Sequence, residues 1–416
     1  MSIPAASARE EPVSYLQVLH NRNFSLLWVG QIISFLGDRA HLIALPVLVW
    51  NLTGSAVLVS LIYASIGLPW IFLGPVAGTL VDRWDRRRTM IVADLARAGL
   101  VLLIPWLAPL NISFVYVLAL LVTVFSLFFT PARLAVLPDI VRQRELYAAN
   151  SLLEISRYLI DFIGYLAGGI LVVLLGTTLA FFVDSLSYVI SAAVIFSMTL
   201  TQASRPSTIP TVAQLLQEFR AGVTFLRGNR YLAANTLFFL PMPLAAGATT
   251  AIVPVYALGI LEGGTLGAWG FALMEAFLGL GAILGSILVG RSLGGHYRKG
   301  RIILAGFGIF SLAKFFLGFV DRLPLALSAV SLDGFGNMLF YIPSVTLVQE
   351  LTPSEFRARI FSIRQALIQI GLTISAVLAG RAAELIGVQT VILLAGMLVL
   401  AFTVAGYFVP SLRDAP

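Results

Sequence analysis

Gly78-Thr79-Leu80-Val81-Asp82-Arg83-Trp84-Asp85-Arg86-Arg87-Arg88 is a short charged stretch set between two apolar runs, 55–80 and 89–108. Each run is 20 residues or longer, enough for a helix to cross a hydrocarbon core of roughly 30 Å. Four arginines within six positions pin the connection between them to one aqueous side, because arginine is costly inside lipid.

The same alternation continues outward in both directions. Apolar runs at 24–50, 55–80, 89–108, 112–130, 148–175 and 178–200 are followed by 231–258, 268–291, 302–320, 324–348, 360–382 and 387–409. Helices and closed barrels are the structures that satisfy their own backbone in lipid. Barrel strands of about 10 alternating residues would not give unbroken runs such as Phe114–Val122, so the sequence predicts an all-α integral membrane protein of twelve transmembrane helices, spans 1 to 12. Composition agrees. Of 416 residues, 59% are hydrophobic and 11% charged, against about 25% charged in soluble domains. An ordinary cytosolic enzyme is thereby excluded. Residues 1–20 lack an apolar core with a small-residue cleavage site, so the run from Phe24 is expected to be an uncleaved first span. With no Cys, disulfides and thiolate chemistry are absent.

Lys and Arg set the orientation. Loops on one side hold 20 of them, and the opposite loops hold Arg322 and Arg381. The positive-inside rule then puts both termini in the cytoplasm of a cell (inner) membrane. The net charge of +7 is used for topology, so no nucleic-acid partner is expected.

The polar segment 201–229 divides the chain into an N-terminal half, 1–200, and a C-terminal half, 230–416. Within it, Leu215, Leu216, Phe219, Val223 and Leu226 mark an amphipathic surface helix. The halves echo one another. Asn21-Arg22-Asn23-Phe24 precedes span 1 as Asn229-Arg230-Tyr231 precedes span 7, while Pro131 and Pro343, and Gly168 and Gly380, are two pairs each 212 residues apart. Six spans per half give parallel repeats related about the membrane normal.

In the quoted loop, Gly78 is expected to let two helices approach closely, and Asp82 to face the positive end of a neighbouring helix. The stretch resembles the cytoplasmic loop signature of the major facilitator superfamily, Gly-x-Leu-Ala-Asp-Arg-x-Gly-Arg-Arg-Arg. It departs at Asp85, where the family has Gly and where Asp tolerates a turn. The second-half counterpart, Gly290 to Lys299, is degenerate. The resemblance implies two six-helix pseudo-repeats, with Gly78, Asp82, Arg83, Arg86 and Arg87 forming a gating loop. In it, Asp82 and Arg83 latch the halves in the outward-facing state. Asn21 to Phe24, Gly37-Asp38, Pro131-Ala132-Arg133 and Ala148 to Leu152 resemble more narrowly the bacterial branch of macrolide-efflux and siderophore-export proteins. Two further family features are altered. The Gly-Pro motif of span 5 has Tyr165 in place of Pro, so Gly164, Gly168 and Gly169 are equally explained by tight packing. Span 4, read as 112–130, carries no basic residue.

Ionisable residues inside spans are candidates for function or for buried pairs. Glu154, Arg157 and Asp161 share a face of span 5 with Asn150; Glu154 with Arg157, and Asp94 with Arg97 in span 3, are expected intramembrane pairs. Lys314 of span 9 is expected to neutralise Asp333 or Glu275. Asp38, His41, Asp161, Glu275 and Asp333 are the candidates for proton or substrate coupling, with Asp38 foremost and His41 a turn away as a relay. No P-loop, metal cluster or catalytic triad is present in the sequence, so neither a cofactor nor an enzymatic reaction is expected. The reading is a monomeric secondary transporter that exports amphipathic small molecules in exchange for protons. Transport of lysophospholipids is the alternative, and a non-transporting sensor or assembly factor a third. Phe238, Phe239, Met242, Phe271, Met274 and Phe277 suit either a greasy cavity or a lipid-facing surface.

Overall fold

The computed structural model describes residues 15–81, 83–199, 212–264, 266–290 and 298–415. Among the described residues, ten helices are long and apolar enough to span a membrane, and Ala56–Phe72 is a shorter apolar helix. One of the ten is double. Leu146–Phe196 would extend about 76 Å at 1.5 Å per residue, far beyond a bilayer, and it breaks at Gly176, where φ is 82° and ψ 168°. Only glycine occupies that region comfortably. Twelve spans result: Arg22–Thr53, Ala56–Phe72 continued by Gly74–Val81, Arg86–Leu107, Ser113–Ile140, 146–175, 177–196, Arg230–Phe239 continued by Pro241–Gly259, Gly267–Leu288, Lys299–Leu317, Leu323–Leu351, Ser354–Ile386 and Val388–Tyr407.

The repeat is visible in backbone detail. Asn21 and Asn229 both cap spans that open a half, each side chain accepting from two amides of the first turn. Gly387, between spans 11 and 12, has φ 88° and ψ 148°, the counterpart of Gly176 between spans 5 and 6.

Several local expectations change. Spans 2 and 7 are each interrupted, at Leu73 and at Leu240-Pro241. Span 3 starts at Arg86, three residues before the apolar run, because Asp85 caps it by accepting from Arg88 N at 2.7 Å. With φ at −64°, Asp85 serves as a helix cap and not as a tolerant turn residue. A methyl at Gly78 would meet nothing within 4 Å, so the close helix approach assigned to it is absent. Asp82 lies outside the described residues. Span 4 runs on to Ile140, which places Arg133 inside its helix and supplies the basic residue missing from 112–130. The linker helix Val212–Gly228 packs on span 11, with Val223 and Leu226 beside Ile360 and Ile363 and the Phe225 and Phe356 rings stacked at 4.7 Å. Phe219 is exposed; the side chains of Leu215 and Leu216 are not described.

Packing explains the span 5 glycines. A Cβ at Gly168 would lie 2.8 Å from Ala40 Cα, and one at Gly164 would lie 2.8 Å from Arg39 Cγ, so spans 5 and 1 touch backbone to backbone. Gly169 seats Ala272 of span 8. Alanine normally strengthens a helix relative to glycine by about 1 kcal/mol, so Gly99→Ala, with open space around it, should not lower the melting temperature in detergent. Gly168→Ala should lower it by several degrees, the clash outweighing propensity; equal melting of the two variants would refute the packing assignment.

The halves meet unequally. At the end opposite the described chain termini, one continuous core joins Val49 and Val59 of the first half to Tyr256, Phe271 and Ile392 of the second. Among the described residues, the hydrogen bonds that cross between halves lie there as well. Ser55 Oγ donates to Glu384 at 2.6 Å and the Val57 amide donates to it at 3.2 Å. A carboxylate thus sits on the N-terminus of span 2, a favourable end of the helix dipole. At the terminal end the cores are separate: one around Phe24, Met90 and Phe129, the others around Phe340 and around Ile360. Among the described residues, the bundle is closed at one end and divided at the other.

Candidate functional site

Three charged groups line the inside of the bundle, and a fourth stands apart from them. In the first half, spans 1, 3 and 6 converge because Gly37 lets span 1 lie against Asp184 and Ser187. Tyr188 Oη donates to Asp38. Arg97 pairs with Asp94, and its guanidinium lies 4.3 Å from the Tyr188 ring centroid and 4.5 Å from that of Phe129. His41 Nδ1 stands 3.2 Å from Asp184 Oδ2, and the Ser187 hydroxyl donates to the Asp184 carbonyl at 2.7 Å. Asp38 and His41 therefore belong to one buried cluster, but each has its own partner.

A second group ties span 1 to span 5. Arg39 turns away from Asp38, forming an ion pair with Asp161 at 2.7 Å and lying over the Tyr165 ring. Arg157 continues the ladder to Glu154 at 2.9 Å and Asp161 at 3.8 Å. Asn150 stays out of it, its amide bonding the carbonyl of Leu146. The third group is in the second half. Lys314 Nζ contacts Asp333 at 2.7 Å and donates to Thr249 at 2.9 Å, with the Phe310 ring 4.3 Å away. The expected pairs Asp94–Arg97 and Glu154–Arg157 are present, and Lys314 chooses Asp333 over Glu275.

Glu275 stands apart. It is half-buried in span 8, which packs against span 5 across the halves. Among the described residues it has neither a hydrogen bond nor an ion pair. Arg39 and Asp333 act on it at longer range, and it in turn acts on Tyr63 and Tyr165. Glu275 is thus a carboxyl at the contact between the halves without a fixed partner among the described residues.

Arg364 counts among the basic residues of the spans in the sequence, where neither its lack of an acidic partner nor the cavity beside it is legible. Arg364 of span 11 is buried without an acidic partner within 4.0 Å among the described residues; its Nη2 donates to Ser344 Oγ at 2.8 Å, and Ser344 Oγ donates to Asn235 at 3.0 Å. Close by is a cavity of about 230 Å³ whose walls include Phe239, Met242, Asn337, Tyr341 and Ile368. Phe239, Met242, Phe271 and Met274 are all buried in protein, which removes the lipid-facing reading for them. The contacts of Arg86 and Arg87 with described residues lie within one half. Arg86 contacts Asp139 at 2.6 Å and donates to the Ala135 carbonyl, and Arg87 donates to the carbonyls of Ile195 and Phe196, so they bind span 3 to spans 4 and 6.

A twelve-span bundle of repeated halves around a charged interior defines a membrane transporter of the major facilitator type. The family model described as transmembrane secretion effector matches residues 13–414, and the chain belongs to that family. It is 27% identical to macrolide efflux protein A of Streptococcus pyogenes, across 94% of this chain and 96% of that one. It is 26% identical to the putative bacilysin exporter BacE of Bacillus subtilis, across 85% and 86%. Among solved structures, the nucleoside transporter NupG superposes with a TM-score of 0.72 at 12% identity, covering 92% of this chain and 98% of its own. A bacterial homologue of the human lysosomal transporter Spinster, inward-facing and unoccupied, gives 0.70 at 12% identity, covering 95% and 98%. The protein is thus a multi-pass membrane transporter of that family.

Proposed function

We propose that the protein exports amphipathic small molecules by proton antiport, the two halves 1–200 and 230–416 rocking about a central site with 201–229 as their tether. The observation that carries this reading is the asymmetry of the bundle. One end is sealed by a shared core and the other is divided, with Glu275 at the interface between them. In this reading the divided end, which carries the basic loops, faces the cytoplasm by the positive-inside rule, the loading state of an exporter. The printed names of the relatives, macrolide efflux and bacilysin export, support outward movement. Closure of the divided end is assigned to Asp82 and Arg83.

The reading ranks the coupling candidates. Asp38, Asp161 and Asp333 each have a partner to break before a proton can move, and His41 stands against Asp184, whereas Glu275 has none among the described residues. The protein works as a monomer, since both halves of the site lie in one chain. Purified protein in proteoliposomes should accumulate a labelled macrolide against its gradient only when a pH gradient is imposed. Accumulation independent of the gradient would favour lipid-like facilitated movement. Orientation is checked on the Cys-free chain with Arg227→Cys and Asp321→Cys, at opposite ends of the bundle. An impermeant thiol reagent added to intact cells should label Asp321→Cys and spare Arg227→Cys; the reverse pattern overturns the topology.

A further inference from the structure

Arg364 is 3% exposed and carries a charge for which the described residues offer no counterion. Three of the other basic residues inside the spans have one: Arg39 has Asp161, Arg97 has Asp94 and Lys314 has Asp333, while Arg133, without an ion pair within 4.0 Å among the described residues, lies within the electrostatic reach of Glu154. An uncompensated buried charge is strongly unfavourable, so a purely structural arginine would be expected to come with an acid. Arg364 instead spends one nitrogen on the Ser344 hydroxyl, while its Nη1 is buried with no hydrogen-bond partner.

The surroundings show where a counterion would come from. The guanidinium carbon lies 4.6 Å from the centroid of the Phe239 ring, and Phe239 is also a wall of the 230 Å³ cavity. Tyr341, which acts electrostatically on Arg364, lines the same cavity, as does Ile368, one helical turn beyond Arg364 on span 11. The walls are otherwise apolar or aromatic, apart from Asn337. Pockets that enclose an entire drug-sized ligand are roughly 300–1,000 Å³, so this one holds an end of a larger molecule.

We propose that this cavity and Arg364 form a subsite for a carboxylate-bearing amphipath, the apolar body in the cavity and the carboxylate on the guanidinium once the Phe239 ring turns aside. This rests on the exporter reading above and narrows its substrate class. Guanidinium suits the role because it stays charged at any working pH and offers paired donors matched to a carboxylate.

The probe is 2-naphthoate against its uncharged isostere 2-naphthamide, by equilibrium dialysis with the full-length protein in detergent. No pH gradient or transport is involved, so failure of proton-coupled export leaves this result standing, and the reverse. Wild type should bind the carboxylate about tenfold or more tightly than the amide, the scale of a charge-assisted hydrogen bond. Arg364→Gln should erase that preference and Arg364→Lys should keep part of it. Ala246→Phe, which fills the cavity without touching the arginine, should weaken both ligands alike. Should Arg364→Gln fail to fold, the wild-type preference and Ala246→Phe still decide. Equal binding of the two ligands by wild type, no binding of the carboxylate, or a preference that survives Arg364→Gln would each overturn the proposal.

Discussion

Glu275→Gln should abolish accumulation driven by a pH gradient while leaving the protein folded and able to bind substrate. The substitution keeps shape and hydrogen-bonding capacity but removes the ionisable proton. Because Glu275 is engaged in no ion pair, its loss strands no buried cation, and folding should be little affected. The expected reduction in gradient-driven uptake is tenfold or greater, since a carrier that cannot titrate cannot link the two fluxes. Substrate exchange measured without a gradient should persist. Asp38→Asn is the matched control: its partner Tyr188 Oη can still donate to the amide oxygen, so most coupling should survive. The opposite ranking, coupling lost in Asp38→Asn and kept in Glu275→Gln, would move the carrier to the cluster of spans 1, 3 and 6.

How much of this was legible in the sequence depended on distance along the chain. The twelve spans were readable because lipid demands long apolar runs, and the repeat because Asn21 and Asn229 cap equivalent helices. Asp94–Arg97 and Glu154–Arg157 were readable because their spacing of three residues puts them on one helix face. Tyr188 with Asp38 and Arg39 with Asp161 join residues 150 and 122 positions apart, and the Glu384 bond to Ser55 joins residues 329 apart. No local pattern encodes such partners; they follow from how spans dock, which glycines such as Gly37 and Gly168 decide. The unmatched charge of Arg364 was hidden for the same reason, since lack of a partner is a property of the packed bundle. Asp85 and Gly78 show the converse error. A family motif marked both positions, but the roles assigned to them, a tolerant turn and a close approach, are not the ones the helices use.

Arg97→Met is expected to be the most destabilising single substitution in the first half. Arg97 is 5% exposed and Asp94 fully buried, and removing one partner of such a pair typically costs about 3–5 kcal/mol. Here the loss would be compounded. Arg97 also covers the Tyr188 ring that holds Asp38, and Asp184 lies within its electrostatic reach, so its loss is felt by carboxyls beyond Asp94. Methionine preserves the apolar packing against Phe129, which isolates the charge from the volume. Arg157→Met is the comparison, because its ion pair with Glu154 is exposed to solvent at both ends, and exposed pairs contribute roughly 0–1 kcal/mol. Thermal unfolding in detergent should therefore show a large drop for Arg97→Met and a small one for Arg157→Met. The double variant Asp94→Asn with Arg97→Met should recover most of the loss, since the stranded charge is gone; two residues in contact are expected to couple in this way. If the double variant melts no higher than Arg97→Met alone, the damage comes from lost packing over Tyr188 and Phe129, and the buried pair is not what holds spans 1, 3 and 6 together.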